Sequence, residues 1–461
     1  MKRSANILAY LLQTVIFLVL AGCGGQNDSS SSVVTFSDVH FDPFYDPAIF
    51  NDLVSSPVEK WAEIFKGSSV TEPASWGNDS NYPLFGQALT ALQPEASHAS
   101  VAIFPGDILA HDFGDKFFRL YGKEDDAALR AFVFKTVKFF TLQVREHLGN
   151  VPVVFTNGNN DGYGEDYKIV PGSQYFSDTA EVFYNDFLLG AADHASYLET
   201  YKAGGYFSME IPGSNVTVVS LNTVFFSPKA ATGIDSAIST ELDWLEKTLS
   251  SARERGAKVW IVMHIPPGTD IYSTVSKYMD GNGRVSDAVT LWKQDIQKRY
   301  LEIIGNNADI LEIGYAGHTH MDEFRLSLKT ADAPRGSLVI IPSISPRSTN
   351  NPAFKVITNL SADWTPRDYR EVLYRLGSTN AVFKNYYTFS SVYDLRNSLD
   401  ESLSQLYPLL NTDVAKRQAY IDAYYSGHDS SRAITDTKWR AYWCGAGNMA
   451  KEEFKECVNS N

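Results

Sequence analysis

Cysteine is scarce in this chain of 461 residues: there are three, Cys23, Cys444 and Cys457. Clustered thiolates are therefore not available to build a cysteine-ligated metal site. An excess of positive charge is lacking too. Forty Lys and Arg stand against 54 Asp and Glu, a net charge of −14, which excludes broad nucleic-acid binding through a basic surface. After the first two dozen residues there is no run long and apolar enough to span a membrane, and no internal repeat. What is present is an ordinary globular composition, 44% hydrophobic and 20% charged. It excludes wholesale disorder and suffices for one large domain or a domain plus an appendage.

The N-terminus reads as a targeting segment over residues 1–22. Lys2 and Arg3 supply positive charge and residues 7–20 supply an apolar stretch. Leu20-Ala21-Gly22-Cys23 then resembles a bacterial lipobox, which implies cleavage before Cys23 and lipidation of that cysteine. A flexible tether, GGQNDSSSS, fills 24–32. By resemblance to enterobacterial sorting, Gly24 in place of Asp implies an outer-membrane lipoprotein, facing the periplasm or the cell surface. In an exported chain Cys444 and Cys457 are expected to form a disulfide, two free thiols being the alternative.

Apolar β-branched runs alternate with helical patterns. Residues 33–36, 101–104, 151–155, 216–221, 259–263 and 313–316 read as strands, and 127–147, 240–255 and 288–304 as helices. On the second helix Asp243, Glu246 and Glu254 read as a solvated face. Further strands are expected at 324–328, 337–341 and 354–357. The alternation predicts an α/β fold: a four-layer α-β-β-α sandwich of two mixed sheets rather than one doubly wound sheet. From about Thr365 the patterns turn Tyr-rich and helical, as in YREVLYRL, LRNSLDESLSQLYPLL and VAKRQAYIDAYY. They predict a helical subdomain over 365–461, its aromatics used for packing, behind a main domain over 33–364.

Five short segments place metal-binding side chains at the ends of apolar runs: FSDVH (Asp38, His40), PGDILAHD (Asp107, His111), NGNND (Asn159), MHIPPG (His264) and GHTH (His318, His320). Alternation along an extended chain would put Asp38 and His40 on one side, and His318 and His320 likewise. The glycine before Asp107 allows a tight turn and close ligand approach. Taken singly, an Asp-x-His pair, a Gly-Asp turn or a lone His at a strand end is commonly incidental. Five in this order are not. Imidazole and carboxylate donors suit zinc, manganese or iron. Two such ions about 3.5–4 Å apart form a clamp for in-line attack on phosphate.

The set resembles the calcineurin-like metallophosphoesterases, whose pattern is D-x-H, G-D, G-N-H-D/E, a lone His and G-H-x-H. Within that superfamily the chain is similar to the acid sphingomyelinase-like phosphodiesterases, through WGNDSNYPLFGQAL, PGDILAHD, VVSLNTVFF, ELDWLEKTL, MHIPPG, GHTHMDEF and IPSISPRSTNNPAFKVI. The resemblance implies a catalytic domain over 33–364 holding two divalent ions, zinc first, with manganese or iron as alternatives. Asp38, His40 and His320 would hold one ion and Asn159, His264 and His318 the other. Asp107 would bridge them, and a bridging hydroxide would attack phosphorus. The leaving alkoxide then needs a proton.

Here the chain departs from the pattern. Asn160 stands where the family usually has His, and it can hydrogen-bond a phosphate oxygen but cannot act as a general acid. Endopolyphosphatases look similar at this position. His111 matches a second imidazole that sphingomyelinase-like enzymes keep near the leaving group. It is the expected general acid, with Asn160 as a phosphate contact; the alternative is that His111 orients Asp107 or Asp112. Asp42 and Asp161 are expected to orient ligand imidazoles, as are Asp322 and Glu323 unless they form a solvated turn. His98, His147, His194 and His428 read as surface or structural. The tether leaves no room for a saposin-like domain before the first strand. The expected substrate is therefore a soluble phosphodiester, nucleotide or polyphosphate rather than embedded sphingomyelin. A phosphomonoesterase, or a weakened metal-holding lipoprotein that binds a ligand, are the alternatives.

Overall fold

Twelve strands among the described residues make two six-stranded sheets. They are β1 Ser32–Thr35, β2 Ala99–Phe104, β3 Val153–Phe155, β4 Phe207–Glu210, β5 Val216–Leu221, β6 Lys258–Met263, β7 Leu311–Ala316, β8 Glu323–Leu328, β9 Arg335–Ile340, β10 Ala353–Thr358, β11 Asp368–Tyr374 and β12 Phe383–Thr388. The computed structural model describes residues 32–164, 166–328, 335–358, 360–429 and 434–460. The targeting segment, Cys23 and the tether as far as residue 31 lie outside them.

One sheet runs β12-β11-β10-β1-β2-β3 and the other β4-β5-β6-β7-β9-β8. Each has a parallel centre. β1 and β2 pair Val33 with Val101, and β5 and β6 pair Val218 with Trp260. Strands buried on both faces read as unbroken apolar runs, which is why 101–104, 216–221 and 259–263 stood out. The sheets are stitched where β3 meets β5: the Ser220 hydroxyl donates to the Phe155 carbonyl and that of Thr156 to Leu221, both at 2.6 Å. Between β10 and β9, the fully buried Lys355 ammonium donates to the Ile340 carbonyl at 2.8 Å.

Helices cover both outer faces. Helix Asp126–Leu148 is capped by Asp125, whose side chain accepts from the Ala128 N–H. It buries Leu129, Phe132, Val133, Thr136, Val137, Phe140 and Val144, the stripe that a 3.6-residue repeat turns to one side. Helix Asp235–Glu254 packs on β5 and β6 and keeps Asp243, Glu246 and Glu254 in solvent. Helices Leu399–Thr412, Val414–Tyr424, Asp436–Gly447 and Lys451–Asn459 form the C-terminal helical region. Cys444 and Cys457 are disulfide-bonded, with a Cα–Cα separation of 5.8 Å. No helix among the described residues is long and apolar enough to cross a membrane.

Two sequence expectations change. The helix expected over 288–304 begins only at Gln294. Before it, Thr290 bridges to Thr269, and the buried Trp292 indole donates to the Ile265 carbonyl at 2.9 Å, holding this stretch to the loop after β6. YREVLYRL is not a helix. Residues 368–374 form β11, antiparallel to β10 and β12. Within this strand Glu371 is fully buried.

Candidate metal centre

The carboxyl ends of the parallel strands of both sheets open onto one rim, the usual ligand edge of an open α/β sheet. Asp38 and His40 follow β1, Asp107 follows β2, Asn159 β3, His264 β6, and His318 and His320 β7. All seven side chains meet there. Asp38, His40 and His320 each bring a ligand atom within 4.8 Å of the others, and Asp38, Asp107 and His264 do the same. His40 and His264 turn Nδ1 to the carbonyls of Leu109 and Pro105, at 3.0 and 2.7 Å. An N–H is needed there, so each Nε2 carries the lone pair. The Nε2 atoms of His40 and His320 stand 3.1 Å apart. Asp107 Oδ2 lies 3.4 Å from His40 Nε2 and 3.2 Å from His264 Nε2. Asn159 turns Oδ1 to His264 Nε2 at 3.0 Å, while its amide N–H donates to Asp166 at 2.6 Å. Lone pairs and carboxylate oxygens that converge this closely in a buried setting fit divalent cations, which turn their mutual repulsion into bonds.

A family model described as calcineurin-like phosphoesterase matches residues 31–322. The chain belongs to this family. It is 22% identical over 475 residues to the human protein named cyclic GMP-AMP phosphodiesterase SMPDL3A, with 98% of this chain and 96% of that one covered. It is 22% identical to the sphingomyelinase phosphodiesterase C of Dictyostelium discoideum, with 99% of each covered. Among solved structures, a dimetal phosphatase from Danio rerio is 11% identical, covering 74% of this chain and 95% of that one, with a TM-score of 0.39. Membership makes the chain a metal-dependent phosphoric ester hydrolase.

The calcineurin-like signature is held by backbone that few residues adopt. Asp38, His40, Asp107, His318 and His320 all have positive φ, between 46 and 72°. They sit in sharp loops, not in extended chain, so the alternation argument for Asp38 and His40 gives the right neighbours for the wrong reason. Side chains other than glycine at positive φ are uncommon and cluster at functional sites. Two glycines make these loops possible. Gly106 has φ +101°, and a Cβ on it would lie 2.7 Å from the Gly158 nitrogen. At Gly317 a Cβ would lie 2.4 Å from Asp38 Oδ2.

The surrounding carboxylates do other work than expected. Asp161 orients no imidazole. Its oxygens accept from the N–H groups of Asp107, Ile108, Leu109 and Gly158 at 2.8–3.2 Å, locking the Gly-Asp loop to the Gly-Asn loop. Asp42 accepts from Phe44 N–H and Lys116. Asp322 and Glu323 are neither imidazole partners nor a solvated turn. Both are buried, Asp322 against Lys355 at 2.6 Å and Glu323 against Arg325 at 3.3 Å. Asn160 donates from its backbone and its amide to Asp107, at 2.9 and 3.1 Å.

His111 stacks on His40, ring centroids 4.2 Å apart, and its Nδ1 bonds Asp79 at 2.8 Å rather than Asp107 or Asp112. Burial opposes a charge on His111, but the Asp79 bond and charge outweigh burial and raise its pKa. Lys116 also binds Asp79, at 3.0 Å. Asp79 was missed as a site residue although it lies inside WGNDSNYPLFGQAL, because no spacing rule marks it. Asp166 and Tyr167 were missed for the same reason; the Tyr167 hydroxyl lies 3.3 Å from His318 Nε2. Beside His318 and Ser348, a cavity of about 170 Å³ is walled by Tyr272, Tyr424, Tyr425 and Tyr442. The aromatics of the C-terminal helices thus line the site as well as pack.

Proposed function

We propose that this calcineurin-like phosphoesterase is a two-metal phosphodiesterase of the acid sphingomyelinase-like type. The observation that carries the reading is Asp107, one of whose oxygens is shared between His40 and His264, as a bridging ligand requires. Asp38, His40 and His320 would hold one ion, and Asn159, His264 and His318 the other. Bound there, the two ions supply an activated water and neutralise phosphoryl charge. The diester assignment is supported by the relatives named for diester substrates.

The rest is done by the chain's own residues. Asp79 fixes the His111 imidazole so that Nε2 faces the site, where it delivers a proton to the leaving alkoxide. Asn160 steadies Asp107 with one amide hydrogen and offers the other to a phosphoryl oxygen. The tyrosine-walled cavity takes an organic substituent of the ester. Cys23 is proposed as the lipid attachment site that keeps the enzyme at an outer membrane; palmitate labelling that persists in Cys23→Ser would sink that assignment.

The deciding experiment is steady-state hydrolysis of bis-(p-nitrophenyl) phosphate by the chain from residue 33 onward, loaded with zinc or manganese. Asp107→Asn serves as the blank. Turnover that depends on metal and vanishes in the blank is expected, with metal content below two ions per chain in Asp107→Asn. A folded, metal-loaded protein without turnover would instead favour the monoesterase or binding-lipoprotein readings, which Asn160 keeps in view.

A further inference from the structure

The metal ligands follow the carboxyl ends of the strands, whereas the segment that leads from Cys23 joins the fold at the other end. Ser32 opens β1, and its N–H and hydroxyl both donate to the His98 carbonyl just before β2, each at 3.2 Å. Asp38 and His40 stand past the far end of the same strand. From Ser32 to Asp38 the extended chain rises roughly 20 Å, at about 3.3 Å per residue. The loop at 360–367 lies at the Ser32 end too, because β10 runs antiparallel to β1 and pairs Ile357 with Val33. From there it reaches the second sheet. The Thr365 hydroxyl donates to Glu312 near the start of β7 at 2.9 Å, and Lys258, the first residue of β6, pairs with the same carboxylate. The amino ends of the parallel strands of both sheets thus make one face, opposite the rim that carries the ligands.

Nine residues lead from Cys23 to Ser32, and fully extended they span at most about 32 Å. A compact body of this chain length is on the order of 55 Å across. For the rim to meet a membrane in which Cys23 is anchored, those nine residues would have to run from one pole of the body round to the other, and they are too short. We propose that the face at the amino ends of the strands lies against the lipid leaflet that holds Cys23, and that the metal centre points into the aqueous space, out of reach of phospholipids in that leaflet. This inference rests on the lipidation of Cys23 and not on the chemistry of the centre. The side chains of the face suit a leaflet. Leu360 and Trp364 are half-buried in the 360–367 loop, with Ala362 and Arg367 exposed beside them. A partly sunk indole favours a boundary that is apolar on one side and wet on the other, and an exposed guanidinium pairs with lipid phosphate.

The test places the full chain, lipidated at Cys23, on vesicles of phosphatidylethanolamine and phosphatidylglycerol that carry nitroxides on their headgroups. A fluorophore is attached through Ala362→Cys on the proposed face, or through Asn78→Cys beside the rim, where Arg347 donates to the Gly77 carbonyl. Both positions are exposed. Contact quenching at 362 is expected to exceed that at 78 several-fold. Equal quenching, or stronger quenching at 78, overturns the proposal. Hydrogen exchange gives a second reading on the unaltered protein, which no substitution can disturb. On vesicle binding, exchange should slow several-fold in 360–367 and stay unchanged in 75–78; slowing at 75–78, or none at 360–367, overturns the proposal as well. If the chain carries no lipid and leaves the vesicles bare, the Cys23 reading has failed separately. Coupling the free thiol of Cys23, in a chain that starts there, to a maleimide-bearing lipid then restores the anchor, and the same exchange measurement decides the orientation alone.

Discussion

The seven proposed ligand positions stood out in the sequence through the order of five motifs, each incidental when taken singly, and the structure brings their side chains together at one rim. Their supporting residues did not stand out. Asp79 and Asp166 are single carboxylates whose roles exist only once distant loops meet, 32 residues from His111 in one case and 7 from Asn159 in the other. If His111 donates the leaving-group proton, His111→Ala should slow esters of poor leaving groups by about 10²-fold or more and nitrophenyl esters much less. Asp79→Asn should act in the same sense and more weakly. Equal losses on both substrates would argue that the pair only shapes the site. A second residue-scale prediction concerns Glu241, buried on helix Asp235–Glu254 with Oε1 accepting from Asn222 N–H at 2.7 Å. Burial pushes its pKa well above the ordinary carboxylate value. A raised folded-state pKa means that this group's contribution to stability is complete below the unfolded value of about 4.3. It is lost as pH rises through the folded value. The melting-temperature difference between Glu241→Gln and the unaltered protein should therefore shift towards the variant from pH 5 to pH 9. A difference that does not move with pH would count against an ionisable Glu241 as the cause.

At the scale of elements, the strands of the parallel centres were legible because they are apolar on both faces. β11 was not. Its sequence DYREVLY alternates Tyr369, Glu371 and Leu373 with Arg370, Val372 and Tyr374, a period of two hidden by charges that a surface strand or helix would also carry. Glu371 belongs instead to a buried polar cluster around Asp322, Lys355 and Tyr387, where the Tyr387 hydroxyl donates to Asp322 at 2.6 Å. Such clusters form only between elements far apart in the chain, so local periodicity has no access to them. The ligand loops show the same limit: their residues are plain, their left-handed backbone is not. Gly317 tests how tightly those loops are drawn. An alanine Cβ there would meet Ser37 Oγ at 2.3 Å and Asp38 Oδ2 at 2.4 Å, distances that force the Asp38 carboxylate to move. Gly317→Ala is expected to keep the fold and lose metal, read as fewer than two ions per chain by elemental analysis. Full metal content with unaltered kcat/KM would show that the loop can yield.

For the whole molecule, the change of character near Thr365 falls inside the first sheet, not after it. β11 and β12 extend that sheet beyond β10, and β11 buries Tyr369, Val372 and Leu373. The helices that follow cover the second sheet: Leu399–Thr412 packs on β9 and Asp436–Gly447 on β8. The C-terminal segment also reaches the site. Tyr424, Tyr425 and Tyr442 wall the cavity beside His318, and the Gly445 carbonyl accepts from Arg325 at 3.0 Å beneath it. A chain ended at residue 364 would keep every proposed metal ligand. It would also expose one edge of the first sheet at β10 and the face of the second that these helices bury, surfaces on which strand edges and apolar patches favour aggregation. It should accumulate insoluble or lack a cooperative thermal transition, whereas the chain from 33 to 460 melts as a unit. If the shortened chain instead melts cooperatively and binds two ions, the C-terminal segment is an appendage to an independent catalytic core. Its part would then be confined to the tyrosine wall, and the loss would fall on KM for esters with bulky substituents while small nitrophenyl esters were still turned over.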